Sequence, residues 1–267
     1  MTQRFKTALA SPLFLIMAIL ISTEVFFLMI SSFGRTADSL SMSANSVLVV
    51  AAWIFFATKS KDTTPKAAWL LVKIWAIVKA VLQLVFALAT LLNGIFLIVG
   101  GAGDFDSVSL IVLGILSIFI GTLFRVAMAL VYFILFKFIS KVMNNAAEDA
   151  DTEITTKHVV CLFSIAGFEA LKLISFFIIR AIISGSEIYS QIEALEEWGI
   201  SWKAADLSFT NARVLDVANA FNIFDFVMLL FTAGVSIALC VITFLWAKAN
   251  FSISKASKPK SIMDIAE

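Results

Sequence analysis

The fold is decided by residues 66–94, KAAWLLVKIWAIVKAVLQLVFALATLLNG, and residues 108–141, VSLIVLGILSIFIGTLFRVAMALVYFILFKFISK. An α-helix rises about 1.5 Å per residue, so the second run would be about 51 Å long, and the hydrocarbon core of a bilayer is about 30 Å thick. Each run is therefore predicted to be a membrane-spanning helix. The segment between them supplies a short turn, which we expect at Gly100, Gly101, Gly103, Asp104 and Asp106.

The composition of the whole chain indicates the same environment. The 267 residues are 61% hydrophobic and 15% charged, with a mean hydropathy of +0.99, whereas soluble domains are about 45 to 50% apolar. Uninterrupted apolar runs such as residues 13–30 exclude the alternating pattern of a β-barrel. The first run begins with Arg4 and Lys6, as a signal peptide does, but it is too long and lacks a cleavage site, so we expect a retained helix.

The predicted fold is an all-α polytopic membrane protein with about six transmembrane helices in a single membrane domain. The spans lie near residues 9–33, 41–58, 67–99, 108–140, 158–184 and 221–247. An amino terminus in the cytoplasm leaves twelve Lys and Arg residues in the cytoplasmic pieces, including the basic tail at 248–267, and only Arg35, Lys203 and Arg213 outside. Short loops rich in these residues stay in the cytoplasm, so both termini are predicted to be cytoplasmic and the protein to lie in the cell membrane.

The spans form three consecutive hairpins, near residues 1–62, 63–150 and 151–267. Residues 64–94 align without a gap on residues 155–185, and the ends of the fourth and sixth spans also align. Apolar helices align easily by chance, so both a threefold hairpin repeat and unrelated helices of similar length remain open. The outer loop at 186–220 is predicted to hold an amphipathic helix with Ile188, Ile192, Leu195 and Trp198 on one face.

Ionisable residues within the predicted spans are the main functional clue, because a charge at the bilayer centre costs about 2.5 to 3.5 kcal/mol. The candidate intramembrane polar cluster consists of Glu24, Lys79, Arg125, Glu169, Lys172 and Arg180, with Lys73 as a further charge. In one interpretation the cations reach the lipid phosphates while Glu169 pairs with Lys172 and Glu24 with Arg180. In a second, surplus positive charge forms a basic pocket for an anionic lipid headgroup or solute. A third is a proton path through Glu24 and Glu169.

Catalysis and cofactor binding are not predicted. The sequence has no nucleotide-binding glycine loop, no metalloprotease motif and a single histidine, His158. We expect Cys161 and Cys240 to be packing residues, and no metal, no cofactor and no nucleic acid as a partner. Expected partners are the lipid bilayer, an anionic lipid headgroup and a membrane protein. The leading hypothesis is therefore a non-catalytic membrane scaffold or accessory subunit, and the alternative is a transporter or lipid-handling protein with a basic intramembrane pocket.

Overall fold

The computed structural model describes residues 3–31, 36–61, 65–103, 108–147, 153–183 and 223–254. These residues are almost entirely helical, which confirms the predicted all-α class. The helices are α1 Gln3–Ala10, α2 Pro12–Ser31, α3 Thr36–Thr58, α4 Lys66–Gly103, α5 Val108–Leu116, α6 Leu123–Ala147, α7 Thr156–Ile183 and α8 Ile223–Asn250. A π-helical segment, Ser117–Thr122, joins α5 to α6, and two short parallel strands, β1 (Ile154–Thr155) and β2 (Ile253–Ser254), pair with each other.

Four helical segments in the described part of the chain are long and apolar enough to cross a membrane. They are Pro12–Ile30, Lys66–Gly103, Leu110–Asn145 and Leu230–Asn250, and Met42–Thr58 is a shorter apolar helix. Large apolar side chains are exposed along α4, where Leu84, Val85 and Leu88 are all more than half accessible. Water would be a poor solvent for such a surface and lipid a good one. These helices support insertion into a membrane.

The long helices close into a ring in which chain neighbours are also neighbours in space. In the described residues, α2 packs on α3, α3 on α4, α4 on the α5–α6 arm, α6 on α7 and α7 on α8. The contact between α8 and α2 closes the ring, so the last helix lies beside the first long one. Successive helices run in opposite directions, and α2 begins at the same end of the bundle at which α8 ends.

The helix is interrupted at Ser11, between α1 and α2, where the sequence predicts one continuous helix from about residue 9. Proline lacks a backbone N–H and suits the first position of a new helix. The Ser11 hydroxyl accepts a hydrogen bond from the Leu13 N–H at 3.3 Å, as an N-cap does. The short α1 is thus set off from α2 by a serine and proline pair.

The predicted glycine turn is wrong in part, because α4 continues through Gly100 and Gly101 to Gly103. Glycine costs about 1 kcal/mol in a helix relative to alanine, and yet Gly100 and Gly101 lie buried within α4. Residues 104–107, with Asp104 and Asp106, lie outside the described residues.

A very close contact joins α4 to α5 at Gly94 and Gly114. A Cβ atom on Gly94 would lie 2.8 Å from the Gly114 carbonyl oxygen, and one on Gly114 would lie 2.6 Å from the Gly94 oxygen. Ser117 and Gly121 are buried as well, so small residues form a packing surface along this arm. Directly after this contact the backbone widens into the π-helical segment, where the sequence predicts a continuous α-helix. There the Thr122 hydroxyl donates to the Ser117 carbonyl at 3.3 Å.

Several predictions lie outside the described residues. The amphipathic helix at residues 188–198 is one of them, and the basic tail from Lys255 onward is another. The backbone of α7 is described at Lys172 and Arg180, but the positions of their side chains are not.

Candidate functional site

A cavity of about 390 Å³ lies within the ring of helices. Its described lining includes side chains from α2, α3, α4, α6, α7 and α8, together with α1 and the residues around the two short strands. Most of this lining is aliphatic or aromatic. The charged, amide and hydroxyl side chains in the described lining are Glu24, Asn45, Lys79, Tyr132, Glu169, Ser236 and Thr243.

Six of these polar side chains form one layer across the ring, which we call the polar layer. It consists of one residue from each of the ring helices: Glu24, Asn45, Lys79, Tyr132, Glu169 and Ser236. Each lies 12 to 15 residues from the end of its helix at the side of the bundle where α2 begins. At a helical rise of about 1.5 Å per residue, this is a common depth of about 18 to 22 Å.

Glu24 is the centre of a hydrogen-bond network that joins four helices. Its Oε1 atom accepts from the Ser236 hydroxyl of α8 at 2.8 Å and from the Asn45 amide of α3 at 3.3 Å. Trp75 of α4 donates its indole N–H to Asn45 Oδ1 at 3.2 Å, which orients that amide. The network therefore fixes the position of the Glu24 carboxyl group at the edge of the cavity, between α2, α3 and α8.

Lys79 and Glu169 bring two more charges to the same cavity, from α4 and α7. Both are half-buried. Tyr132 of α6 also lines the cavity, and its ring packs edge-on against Trp75 with centroids 5.6 Å apart. The described part of the lining therefore includes the carboxyl groups of Glu24 and Glu169 and the amino group of Lys79. The basic-pocket hypothesis stays a prediction, because the side chains of Lys172 and Arg180 lie outside the described residues.

The side of the cavity at which α2 begins is lined by packed aromatic rings, which we call the aromatic floor. It consists of Phe5, Phe14, Phe55, Trp69, Trp246 and Phe251, all of which line the cavity. The Trp69 ring lies 5.0 Å from Phe55 and 5.3 Å from Phe5, between centroids.

Hydrogen bonds to backbone groups connect the chain segments around the aromatic floor. Trp246 donates its indole N–H to the Ala8 carbonyl at 2.8 Å, which ties the end of α8 to α1. Pairing of Ile154 with Ile253 ties the start of α7 to the chain after α8. The floor thus joins both ends of the described chain.

Arg125 lies away from the cavity, in contrast to the prediction that it shares one site with Glu24 and Glu169. It is 3% exposed, between α4 and α6. Its guanidinium donates to Gln83 Oε1 at 3.3 Å and lies 5.2 Å from the centre of the Phe86 ring. The interpretation in which Arg125 reaches lipid phosphates does not fit this burial. The close packing of α4 on α6 encloses the side chain before it can extend to a surface.

The structure thus brings Glu24, Lys79 and Glu169 of the predicted cluster to one cavity. The proposed pairs of Glu169 with Lys172 and of Glu24 with Arg180 involve side chains outside the described residues. The sequence analysis missed Asn45, Tyr132 and Ser236, because neutral polar residues in apolar helices carry no charge signal. Their common depth is the property that could have identified them.

The arrangement suits noncovalent binding of a small molecule. Ligand pockets typically measure about 300 to 1,000 Å³ and are mostly apolar with a few convergent polar groups. Cys161 and Cys240 are both free and buried, as expected for packing residues. No group of three metal-ligating side chains occurs among the residues described. No family model matches this chain, and neither a curated protein nor a solved structure matches it.

Proposed function

We propose that this chain is a six-span membrane protein whose central cavity binds a small amphiphilic molecule, and that it acts as a transporter or lipid-handling protein. The observation that carries the proposal is the polar layer, in which each of the ring helices contributes one polar side chain to the same cavity at the same depth. A ligand there would place a polar group against this layer and an apolar body against the aromatic floor.

The energetic cost of the polar layer supports a binding role over a purely structural one. Charges within a membrane are expensive and usually mark a functional site or pathway. A structural bundle of this size could fill its centre with aliphatic side chains, which would gain stability from tight packing. Here the centre instead holds a cavity together with Glu24, Lys79 and Glu169.

The proposed binding is tested with a variant in which a larger side chain fills the cavity. Ala52 of α3 is buried and lines the cavity, whereas Val50 of the same helix is exposed. Native mass spectrometry of purified protein is expected to detect small-molecule adducts on the wild type and on Val50→Phe, and to lose them on Ala52→Phe. Adduct spectra that are the same for both variants would contradict the proposal.

A second candidate is the non-catalytic scaffold or accessory subunit. It is favoured by the hydrogen bonds that Glu24 receives from Asn45 and Ser236, because these engage its half-buried carboxyl group within the chain itself. In that case a partner would dock on the outer loop at residues 186–220 or on the loop at residues 144–157, which contains the acidic residues Glu148, Asp149, Asp151 and Glu153. A wild-type protein that carries no adduct would favour this candidate.

The proposed orientation has both termini and the loops near residues 59–66 and 144–157 in the cytoplasm, following the excess of Lys and Arg in these pieces. The test uses Asn145→Cys in a chain whose Cys161 and Cys240 are replaced by alanine. An impermeant thiol reagent should label it only after the membrane is opened. Labelling of intact cells would contradict the orientation.

A further inference from the structure

We propose that the apolar body of the ligand is a planar aromatic ring system, held against the aromatic floor, and not an alkyl chain. This inference rests on the proposed function, because it names the class of amphiphile that the same cavity binds. It concerns the part of the ligand that lies on the floor side of the polar layer.

The first argument is the composition of the cavity wall, compared with that of the outer surface. Among the large apolar and aromatic side chains in the described lining, nine of 21 are aromatic. Among the large apolar side chains exposed on the surface of the described residues, seven of 35 are aromatic. Lipid and cavity are both apolar environments, so the hydrophobic effect does not account for the difference. The cavity wall therefore favours a ligand that gains from contact with aromatic rings.

The second argument is that the rings of the aromatic floor converge from separate parts of the chain. They come from α1, α2, α3, α4 and α8 and from Phe251, directly after α8. Neighbouring centroids lie 5.0 to 6.5 Å apart, and the ring planes meet at angles between 32° and 88°. Aromatic pairs prefer this range of distances and attract each other beyond the effect of buried area. A further flat ring in the cavity would extend the cluster, whereas an alkyl chain would not.

The third argument is competition from the surrounding lipid. The four candidate spans support a location within a bilayer, and lipid tails are as apolar as aliphatic side chains. An alkyl body would therefore gain no hydrophobic driving force when it leaves the lipid for the cavity. It would also lose more conformational freedom on binding than a rigid ring system. Contact with aromatic rings is an interaction that acyl chains do not offer, so it can select one ligand from within a membrane.

The experiment compares three neutral primary alcohols with the same number of carbon atoms, namely β-naphthaleneethanol, its decahydro counterpart and dodecanol. Binding is measured by equilibrium dialysis against purified wild-type protein in detergent. Protein-free micelles at the same detergent concentration give the background from micelle partition. We expect the naphthyl alcohol to bind above this background, and about tenfold or more tightly than either saturated alcohol.

Substitutions in the floor test whether its rings give this preference. Phe14→Leu and Phe55→Leu each remove a ring from the cavity wall and keep an apolar side chain there. Each should weaken binding of the naphthyl alcohol about two- to tenfold, as expected from the loss of one aromatic contact, without weakening binding of the decahydro alcohol. Phe119→Leu is the matched control, because Phe119 is 63% exposed and does not line the cavity, and it should bind as the wild type does.

Three results would overturn the inference. A saturated alcohol that binds the wild type as tightly as the naphthyl alcohol would reject the aromatic ligand and keep the proposed function. Equal losses for the naphthyl and decahydro alcohols in Phe14→Leu and Phe55→Leu would show that these substitutions change the shape of the cavity, and would also reject it. Binding of all three alcohols at the micelle background would reject it as well, and the adducts sought by native mass spectrometry would then decide the proposed function separately.

Discussion

Glu24 and Arg125 are both charged residues inside long apolar helices, but their surroundings differ. Glu24 accepts hydrogen bonds from two other helices and lines a cavity. Arg125 lies in a tightly packed interface, against the Gln83 amide and the Phe86 ring, and does not line that cavity. A charge beside a cavity can interact with a ligand, whereas a charge enclosed by side chains serves the packing of two helices. Burial of a charge in a span therefore does not by itself identify a binding site.

The ring likewise has a tightly packed half, around the contact of α4 with α5, and a half beside the cavity, formed by α2, α3 and α8. Around Gly94 and Gly114 the backbones of α4 and α5 approach until no side chain fits between them. Around Glu24, helices α2, α3 and α8 meet through longer polar side chains at the edge of the cavity. Substitutions should therefore affect stability most in the tight half and ligand binding most in the other.

The largest effect is expected at the glycine contact. Gly114→Leu should destabilise the protein by about 3 kcal/mol, because its side chain would overlap the Gly94 carbonyl and Ile98 of α4. Gly167→Leu is the control, since a Cβ atom there would meet nothing within 4 Å. Melting temperatures of detergent-solubilised protein would measure both, and equal shifts would show that the α4–α5 contact is not tight.

The next effect concerns Arg125. Gln83→Leu should cost about 2 kcal/mol, since it removes a hydrogen-bond acceptor from a buried charged group. The double variant Gln83→Leu with Arg125→Leu should recover part of this loss, because removal of both partners leaves neither polar group buried. The adducts detected by native mass spectrometry should be the same in all three proteins, because neither Gln83 nor Arg125 lines the cavity. A double variant less stable than Gln83→Leu alone would indicate that the contacts of Arg125 with its other neighbours matter more.

A smaller effect is expected from the network around Glu24. Ser236→Ala should cost about 1 kcal/mol, which is within the range measured for hydrogen bonds between membrane helices. Ser164→Ala removes only a bond from a hydroxyl to the carbonyl of its own helix, at Val160, and should change the melting temperature little. Comparable shifts for the two serines would mean that the network adds no stability between helices.

The smallest effect is expected at the outer side of the ring. Trp53 is 40% exposed and donates to the Ser22 hydroxyl at 3.0 Å. Trp53→Phe should lower stability by less than about 0.5 kcal/mol, as exposed substitutions usually do. Trp75→Phe should cost more, because it frees the Asn45 amide that binds Glu24. Melting temperatures of the two variants measure both losses of stability. A larger loss for Trp53→Phe than for Trp75→Phe would contradict the importance given to the network around Glu24.

The sequence predicted the helical class and most of the long helices because apolar runs of that length have few other stable forms in a membrane. It did not predict closure of the ring by α2 and α8, since that contact joins distant parts of the chain. The sequence did not indicate that Arg125 lies beyond the level of Lys79 and Glu169. Arg125 is 22 residues from the end of its helix at Ala147, whereas Lys79 and Glu169 are each 13 residues from the starts of theirs. At a rise of about 1.5 Å per residue, Arg125 therefore lies about 13 Å beyond the polar layer, where it contacts Gln83. The cavity exists only because the ring is closed, so it could not be predicted from a sequence that does not indicate the contact between α2 and α8.

Closure of the ring by its first and last long helices also has a consequence for biosynthesis. Asn45 follows Glu24 by 21 residues, but Ser236 follows it by 212. While the ribosome makes the intervening chain, α2 has its neighbour α3 and still lacks α8. The cavity therefore does not exist in any nascent chain that stops short of α8. A premature stop codon before residue 223 would leave a protein that retains most of its apolar helices but has lost the wall supplied by Ser236, Cys240 and Trp246.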